Sequence, residues 1–478
     1  MPKYAVVALL LSVALGLALV LPAPSSDTRE LLSWGLNPSL STPKQPPLMQ
    51  WMGFLVMRLA WPTTFWCVLL QQALNALGLV YVYRILRLWS ERESASLWTL
   101  LLAGAVYFLG APVAFALNAD ILQFPFWAAM LFHALRAFET RGVRHWAALA
   151  LAFALAFYAK YTVALWVVAL AAATLAVPAY RRVWGDVRLY LCAGAGLALI
   201  APHLISAQHS GAVGHATGTL YLSAPLGVRL KNLSELALGF VAYLAPAWIW
   251  VGVAVFRGQA RWAPSPAPAA QFLRAAAAAS LAMLLLLVLA LGFKYPSRYD
   301  SPFLFVAWLT LASCVSFAPE TLPAARRWAT QATAVFAAAL LVGGVLVYGV
   351  VTHHPRQQEP LARAAEAIQG QWRARFACGP AYVMGDFWSA YGLGISFMPP
   401  VPGVHLIEMD GVPGYDPAKR ENYGAVVVYR DRLNQAEINA ALPGLDMSQT
   451  YRLTLPYARS FAHATITYEY LFLPPKAC

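Results

Sequence analysis

Charged residues are scarce in this sequence. They make up 12% of the 478 residues, whereas a soluble protein carries about 25%. Hydrophobic residues account for 60%, and apolar stretches of roughly 20 residues, each long enough to cross a hydrocarbon core about 30 Å thick, recur along the chain. This composition excludes a soluble globular enzyme and predicts a mainly α-helical, polytopic membrane protein.

The sequence also lacks the patterns of several other classes. No Gly-rich phosphate loop or internal repeat is present, and no basic-aromatic stripe accompanies the net charge of +13. Basic residues of a membrane protein mostly anchor its cytoplasmic loops, so nucleic acid is not predicted as a partner. Only five cysteines occur, of which Cys378 and Cys478 lie in the polar C-terminal part. A disulfide between these two would suit an oxidising compartment.

Hydropathy predicts about eleven transmembrane helices. The first has features of a signal peptide, but the many later spans favour an uncleaved helix. Fifteen lysines and arginines fall in the connections on one side, which predicts a cytoplasmic N-terminus and an outer C-terminal part. The spans are expected at about 4–22, 64–84, 96–114, 121–137, 145–160, 162–180, 189–207, 233–256, 274–293, 301–317 and 329–351.

The composition changes from His353 onward. The stretches "AYVMG", "GAVVVYR" and "ATITYEYLFL" predict strands, and "QEPLARAAEAIQGQWRARF" and "LNQAEINAAL" predict helices. The predicted domains are therefore a transmembrane domain at 1–352, with a first outer loop at about 23–63, and an outer α/β domain at 353–478. The stretch "RWAPSPAPAA" is expected to be only a cytoplasmic connector.

Charged residues from distant parts of the sequence are predicted to meet at the outer face. Charges at membrane depth are costly, so they tend to be paired or functional. Together they suggest a composite polar site, with carboxylates for acid-base chemistry and cations that bind phosphate. The residues that the predicted topology places there are Asp27, Glu30, Lys44, Asp120, Lys160, His209, His215, Lys294 and Arg298.

Some of these residues also have a purely structural interpretation. Lys160 and Arg298 would each snorkel to the membrane interface. Asp120 would cap a helix, and Glu30 would solvate an interfacial helix. No single residue is strong evidence for a site, and the prediction depends on the face that they share.

The histidines carry weaker signals. His209 and His215 are six residues apart in a loop, a spacing that favours no metal site, so they are candidates only as loop contributors to the outer site. His203 lies in an apolar stretch and is predicted to be a hydrogen-bonded core residue.

Short motifs in order along the chain resemble the C-type membrane glycosyltransferase superfamily, and most closely its bacterial branch of aminoarabinose transferases and protein O-mannosyltransferases. That branch commonly has D-E-A-E followed by K-Q-P-P-L or H-P-P-L, and this chain has "DTRE" at Asp27–Glu30 and "KQPPL" at Lys44–Leu48. Further matches are "NAD", "AKYT", "PHLISAQH" and "SRYDSPF", together with the outer tail. The resemblance covers essentially the whole chain.

The resemblance implies a glycosyltransferase that takes a sugar from a polyprenyl-phosphate donor at the periplasmic face of the bacterial inner membrane. Direct attack by the acceptor on the anomeric carbon would make the transfer inverting. It implies that Asp27 is the catalytic base, Asp120 a second carboxylate, and Lys44 a ligand of the donor phosphate. Lys160 and Arg298 follow as further phosphate ligands by position. The acceptor stays open between lipid A or another lipid, an envelope glycan and a protein hydroxyl, as does the sugar.

The sequence departs from the family pattern at two positions. Thr28 stands where the family has a second acid, and Pro43 stands where aminoarabinose-type members can place one. The motif therefore does not support a divalent-metal site, although a metal stays an open alternative, and no other cofactor is predicted. The alternative function is a transporter or flippase of lipid or polyprenyl-linked substrates, but such proteins place substrate charges near the bilayer midplane, where this sequence has almost none.

Overall fold

In the computed structural model, the chain forms a helical part up to residue 331 and a mixed α/β part from residue 359 onward. The predicted first span, most of the predicted last span and the predicted domain boundary lie outside the described residues. The structure describes residues 23–42, 45–59, 63–102, 117–209, 224–290, 292, 301–331, 359–407, 412, 415–457 and 464–477.

Most helices of the first part overlap the predicted apolar stretches, and two short ones fall in the predicted first loop at about 23–63. The helices are α1 (Ser26–Gly35), α2 (Leu48–Leu59), α3 (Thr63–Leu86), α4 (Arg92–Leu101), α5 (Ala119–Thr140), α6 (Val143–Ala159), α7 (Val163–Ala176), α8 (Pro178–Arg181), α9 (Val187–His209), α10 (Leu226–Phe256), α11 (Pro268–Leu285) and α12 (Ser301–Cys314). Two short strands, β1 (Ala260–Trp262) and β2 (Val315–Phe317), pair antiparallel.

Several helices are apolar enough to cross a membrane. Among the described residues, Phe65–Leu86, Val187–Gln208 and Pro268–Ala290 meet the length and composition required, and a bent pair, Val163–Ala176 with Pro178–Gly185, is a fourth candidate if the pair forms one span. The two halves of that pair meet at an angle of 109°. The prediction of a mainly helical, multi-pass membrane protein is confirmed, while the number of eleven spans stays a prediction.

Large aromatic side chains hold the helical part together. Trp98 of α4 packs edge-on against Trp308 of α12 with ring centroids 5.3 Å apart. Trp127 of α5 stacks on Trp166 of α7 at 4.5 Å. All four rings are buried, and each such ring removes about 150–250 Å² from solvent, so these pairs tie together helices that are distant in sequence.

Connections that the charge pattern assigns to the cytoplasm contact one another. Asp186, just before α9, lies 3.8 Å from Arg141 and 3.9 Å from Arg188, which links the α5–α6 connection to the α8–α9 connection. The stretch "RWAPSPAPAA" is more than a connector, and that prediction is wrong. Arg261 and Trp262 lie in β1, where their backbone pairs with β2, and Pro268 begins α11.

The C-terminal part is a five-stranded mixed sheet with strand order β4-β3-β5-β7-β6. The three strands on one side, β4, β3 and β5, are parallel, and β7 runs antiparallel to both β5 and β6. Its elements are α13 (Leu361–Arg373), β3 (Tyr382–Gly385), α14 (Phe387–Gly394), β4 (Gly403–His405), α15 (Pro417–Tyr423), β5 (Ala425–Arg430), α16 (Gln435–Ala441), β6 (Tyr451–Pro456) and β7 (Thr465–Leu473).

Both faces of this sheet are covered. Ile368 and Trp372 of α13 pack on one face, and Ile438 of α16 packs on the other. The central strand β5 is buried along nearly its whole length, because a strand covered on both faces needs a continuous apolar run. Trp34 of α1 joins the cluster that contains Ile438, so the first-loop helix is docked on the sheet.

Candidate active site

Helix α1 carries the two acids of the "DTRE" motif. Asp27 lies in its first turn, where a carboxylate is favoured by the helix dipole, and Glu30 follows three residues later on a neighbouring surface. Asp27 is partly buried, whereas Glu30 is only 1% exposed. The interpretation of Glu30 as a residue that merely solvates an interfacial helix is therefore wrong.

An apolar cluster, here called the junction cluster, joins α1 to the other segments that carry predicted site residues. Leu31 and Leu32 come from α1, Leu122 from the start of α5, and Ala159 from the end of α6. These segments therefore bring Asp27 and Glu30, Asp120 and Lys160 to one end of the helical part. The buried members are Leu31, Leu32, Leu48, Met49, Val56, Cys67, Leu117, Ala119, Leu122, Ala159 and Ile395.

Asp120 occupies the first turn of α5. The helix begins at Ala119, and the N–H of Leu122 donates to the carbonyl of Asn118 over 3.0 Å, so Asn118 holds the cap position. The prediction of Asp120 as a cap is wrong by this geometry. The Thr28 hydroxyl donates to the carbonyl of Leu117 over 3.3 Å and so fastens α1 directly beside this turn. The Asp120 side chain lies outside the described residues.

Lys160 lies in the tight turn between α6 and α7, as predicted. Its backbone is extended, with φ −163° and ψ 137°, and its N–H donates to the carbonyl of Ala156. The side chain is partly buried. Two residues later, the Thr162 hydroxyl donates to Oε1 of Gln123 over 3.1 Å, which ties the turn to the first turns of α5.

The buried His203 side chain braces this end of the molecule. Its Nδ1 lies 2.7 Å from the carbonyl oxygen of Leu40, and since a carbonyl only accepts, Nδ1 carries the hydrogen. Its Nε2 lies 3.0 Å from the Tyr161 hydroxyl. The prediction of a hydrogen-bonded core histidine is confirmed. In addition, His203 connects the loop after α1 to the Lys160 turn.

The loop on the N-terminal side of Lys44 folds back onto α2. Nε2 of Gln50 donates to the carbonyl of Ser39 over 2.7 Å, and the Ser39 N–H donates to Oε1 of Gln50 over 3.0 Å. The Trp51 indole N–H also donates to the Ser39 carbonyl. These bonds fix the segment that leads to the "KQPPL" motif.

The remaining predicted site residues are not placed by the structure. Lys44, His215, Lys294 and Arg298 lie outside the described residues, and His209 ends α9 with its side chain outside them as well. Among the side chains that are described, no group of three His, Cys, Asp or Glu residues could hold a metal ion. Because the Asp120 side chain is not among them, the prediction on metals is untested.

One buried ion pair at this end has no signal in the sequence. Arg29, between the two acids of the motif, is 0% exposed, and its Nη1 lies 2.7 Å from Oε2 of the buried Glu359. Because the two residues are 330 positions apart in sequence, no local pattern predicts the pair.

Comparison with known proteins decides the class of enzyme. Residues 44–205, about a third of the chain, match the family model described as dolichyl-phosphate-mannose-protein mannosyltransferase. The fold is similar to the crystal structure of ArnT from Cupriavidus metallidurans in the apo state, with 14% identity, a TM-score of 0.61 and coverage of 98% of this chain and 97% of that chain. This chain is a membrane glycosyltransferase. The enzyme class and the resemblance predicted from the sequence are thereby confirmed.

Other similarities to this glycosyltransferase are weaker. The Archaeoglobus fulgidus oligosaccharyltransferase in its apo form matches with 13% identity and a TM-score of 0.40, over 89% of this chain and 70% of that chain. No curated protein sequence matches the chain significantly.

Proposed function

We propose that this glycosyltransferase moves a sugar from a polyprenyl-phosphate donor to an acceptor hydroxyl or phosphate at the end that carries α1 and the sheet, which is the periplasmic face of a bacterial inner membrane. The observation that carries the proposal is the junction cluster, where α1, the first turn of α5 and the Lys160 turn meet. The description of the matching family model supports a polyprenyl-phosphate-linked donor, with mannose as the first sugar to test.

The roles follow from the chemistry of a phosphate leaving group. Asp27 accepts the proton of the acceptor hydroxyl, whose oxygen attacks the anomeric carbon and inverts its configuration. The bond from that carbon to the phosphate oxygen breaks, and the phosphate leaves with the electron pair. Lys160 is already in position before the reaction, so it stabilises the negative charge that develops on the leaving phosphate without having to move. Asp120 is the second carboxylate and Glu30 a third.

Three further cations are proposed as phosphate ligands alongside Lys160. Together with Lys160 they would surround the polyprenyl phosphate leaving group, which carries two negative charges. Each of their hydrogen bonds to the phosphate would be charge-assisted and therefore stronger than a neutral one. They are Lys44, Lys294 and Arg298.

Proteoliposomes that contain the purified protein and radiolabelled polyprenyl-phosphate mannose test this function. We expect release of polyprenyl phosphate in step with labelling of the acceptor, measured against lipid A, envelope glycans and peptides in turn. Passage of intact donor across the bilayer without release of polyprenyl phosphate would instead indicate a transporter.

A further inference from the structure

The guanidinium of Arg29 is enclosed where α1 meets the sheet. Besides the ion pair with Glu359, its Nη1 donates to the carbonyl of Trp388 over 3.2 Å, and its Nε donates to the carbonyl of Pro24 over 2.9 Å. The guanidinium carbon also lies 5.6 Å from the centre of the Trp388 ring. Gly392 leaves room for this arrangement, because a Cβ there would lie 2.9 Å from Nη1 of Arg29.

Glu359 connects Arg29 to the centre of the sheet. Its Oε2 faces Arg29, and its Oε1 lies 3.5 Å from Nη1 of Arg430, the last residue of β5. Arg430 is itself fixed, since Nη2 donates to the Tyr457 hydroxyl over 2.8 Å and its N–H donates to Oδ2 of Asp386 over 3.1 Å. The carboxylate of Glu359 is therefore shared between α1 and the central strand β5.

A second contact holds the same helix. The N–H of Gly403, in β4, donates to Oγ of Ser33 over 2.8 Å. Ser33 lies four residues after Arg29, so both side chains lie on the surface of α1 that faces the sheet. An isolated helix of ten residues is marginal in water, so α1 depends on such contacts for its position.

Helical geometry puts Asp27 on the other side of α1. Two residues along an α-helix correspond to a rotation of about 200°, so Asp27 lies on a different side of α1 from Arg29, which anchors the helix. We propose that Arg29 and Glu359 are positioning residues: their ion pair lets the C-terminal sheet hold α1 in the orientation that presents Asp27 to the acceptor. This inference rests on the proposed function for the role of Asp27.

Glu359→Gln in the full-length protein tests the inference. Because a small misplacement of a reacting group is costly in rate, we expect kcat to fall by about tenfold or more while KM for the donor changes little. Hydrogen exchange should become faster in the amides of α1 and stay the same in the sheet. Arg452→Gln is the matched control, since it breaks the Arg452–Glu469 pair within the same sheet and should leave both readouts at the wild-type level.

Ser33→Ala provides a milder variant in case Glu359→Gln does not fold, and it should also accelerate exchange in α1 and lower kcat by a few-fold. Unchanged exchange in α1, faster exchange with an unchanged kcat, or an equal loss in Arg452→Gln would each overturn the inference. If the wild-type protein releases no polyprenyl phosphate, the proposed function fails instead. The exchange data then decide alone whether Glu359 positions α1.

Discussion

Asp27 and Glu30 share a helix but not an environment. Glu30 is enclosed, while Asp27 keeps part of its surface open. A general base must come within hydrogen-bond reach of an acceptor that enters from outside the protein. Of these two acids, the accessible Asp27 therefore fits the role of base, and the enclosed Glu30 fits a supporting role.

Replacing Asp27 with Asn should nearly abolish transfer. Loss of a general base typically lowers the rate by about 10²–10⁴-fold, while the isosteric amide should preserve expression and donor binding. Turnover and donor affinity measured on one preparation check this, with Glu235→Gln, a change in a partly exposed acid paired with Lys231, as the control. Wild-type turnover in Asp27→Asn would assign the base to Glu30 or Asp120 instead.

Replacing Lys160 with Ala should weaken binding of the donor lipid. A charge-assisted hydrogen bond is worth about 1.5–3 kcal/mol, which corresponds to a loss in affinity of about tenfold or more, and we expect the same of Lys44→Ala and Arg298→Ala. Titration of polyprenyl phosphate into each variant measures the effect. Lys231→Ala serves as the control, because that side chain is 74% exposed. Unchanged affinity in all three variants would remove the phosphate role.

The position of α1 depends on its close contact with α2 as well as on the sheet. A Cβ at Gly53 would lie 2.0 Å from the carbonyl oxygen of Leu31, and one at Gly35 would lie 2.4 Å from the backbone of Gly53. The two helix backbones therefore touch, and only glycine permits that approach.

Gly53→Ala should destabilise the protein. The new methyl group meets backbone atoms that cannot move aside, and overpacking of this kind costs about 1–3 kcal/mol. Gly252→Ala in α10 is a matched helical control, because a Cβ there would meet no atom within 4 Å, and it should be neutral or stabilising by up to about 1 kcal/mol. Thermal unfolding midpoints compare the two; equal midpoints would contradict the close contact between α1 and α2.

Sequence patterns predict those elements whose own residues form an apolar run or a helical period. The central strands β3, β5 and β7 and the helices α13 and α16 were all expected, because each has a continuous apolar run or a helical period. The strands β4 and β6 were not. The first has three residues, and the second is an edge strand whose residues alternate between exposed and partly buried.

Some contacts of the candidate site can likewise be predicted from the sequence, and others cannot. Topology alone predicts that Asp27, Asp120 and Lys160 approach one another, because it fixes which end of each span they follow. The Arg29–Glu359 pair could not be predicted, since it depends on how the C-terminal sheet docks on α1. Tertiary docking of this kind leaves no periodicity or spacing in the sequence.

On the scale of the whole molecule, a disulfide fastens the C-terminal part. Cys378 is disulfide-bonded, while Cys478, its predicted partner, lies outside the described residues. The two residues before Cys478 are hydrogen-bonded to α15, because the N–H groups of Lys476 and Ala477 donate to the carbonyls of Glu421 and Asn422. Cys67, Cys192 and Cys314 are free thiols.

Cys378→Ser should lower the stability of the sheet part. A bridge that closes a loop of about 100 residues contributes up to about 4.7 kcal/mol in the loop-entropy model. The unfolding midpoint measures the loss, with Cys192→Ser, a change in a free thiol, as the control. Non-reducing mass spectrometry identifies the partner; alkylation of both Cys378 and Cys478 without reductant would exclude the bridge between them.

The central claim is that transfer takes place at the end of the molecule where α1, the Lys160 turn and the sheet meet. The most direct test uses proteoliposomes of defined orientation, sorted by exposure of the C-terminal sheet, with labelled polyprenyl-phosphate sugar supplied to one leaflet at a time. We predict release of polyprenyl phosphate only when the donor is in the leaflet on the side of the sheet, and its loss in Asp27→Asn. Release from the opposite leaflet alone, or an Asp27→Asn protein that releases it at the wild-type rate, would contradict the account.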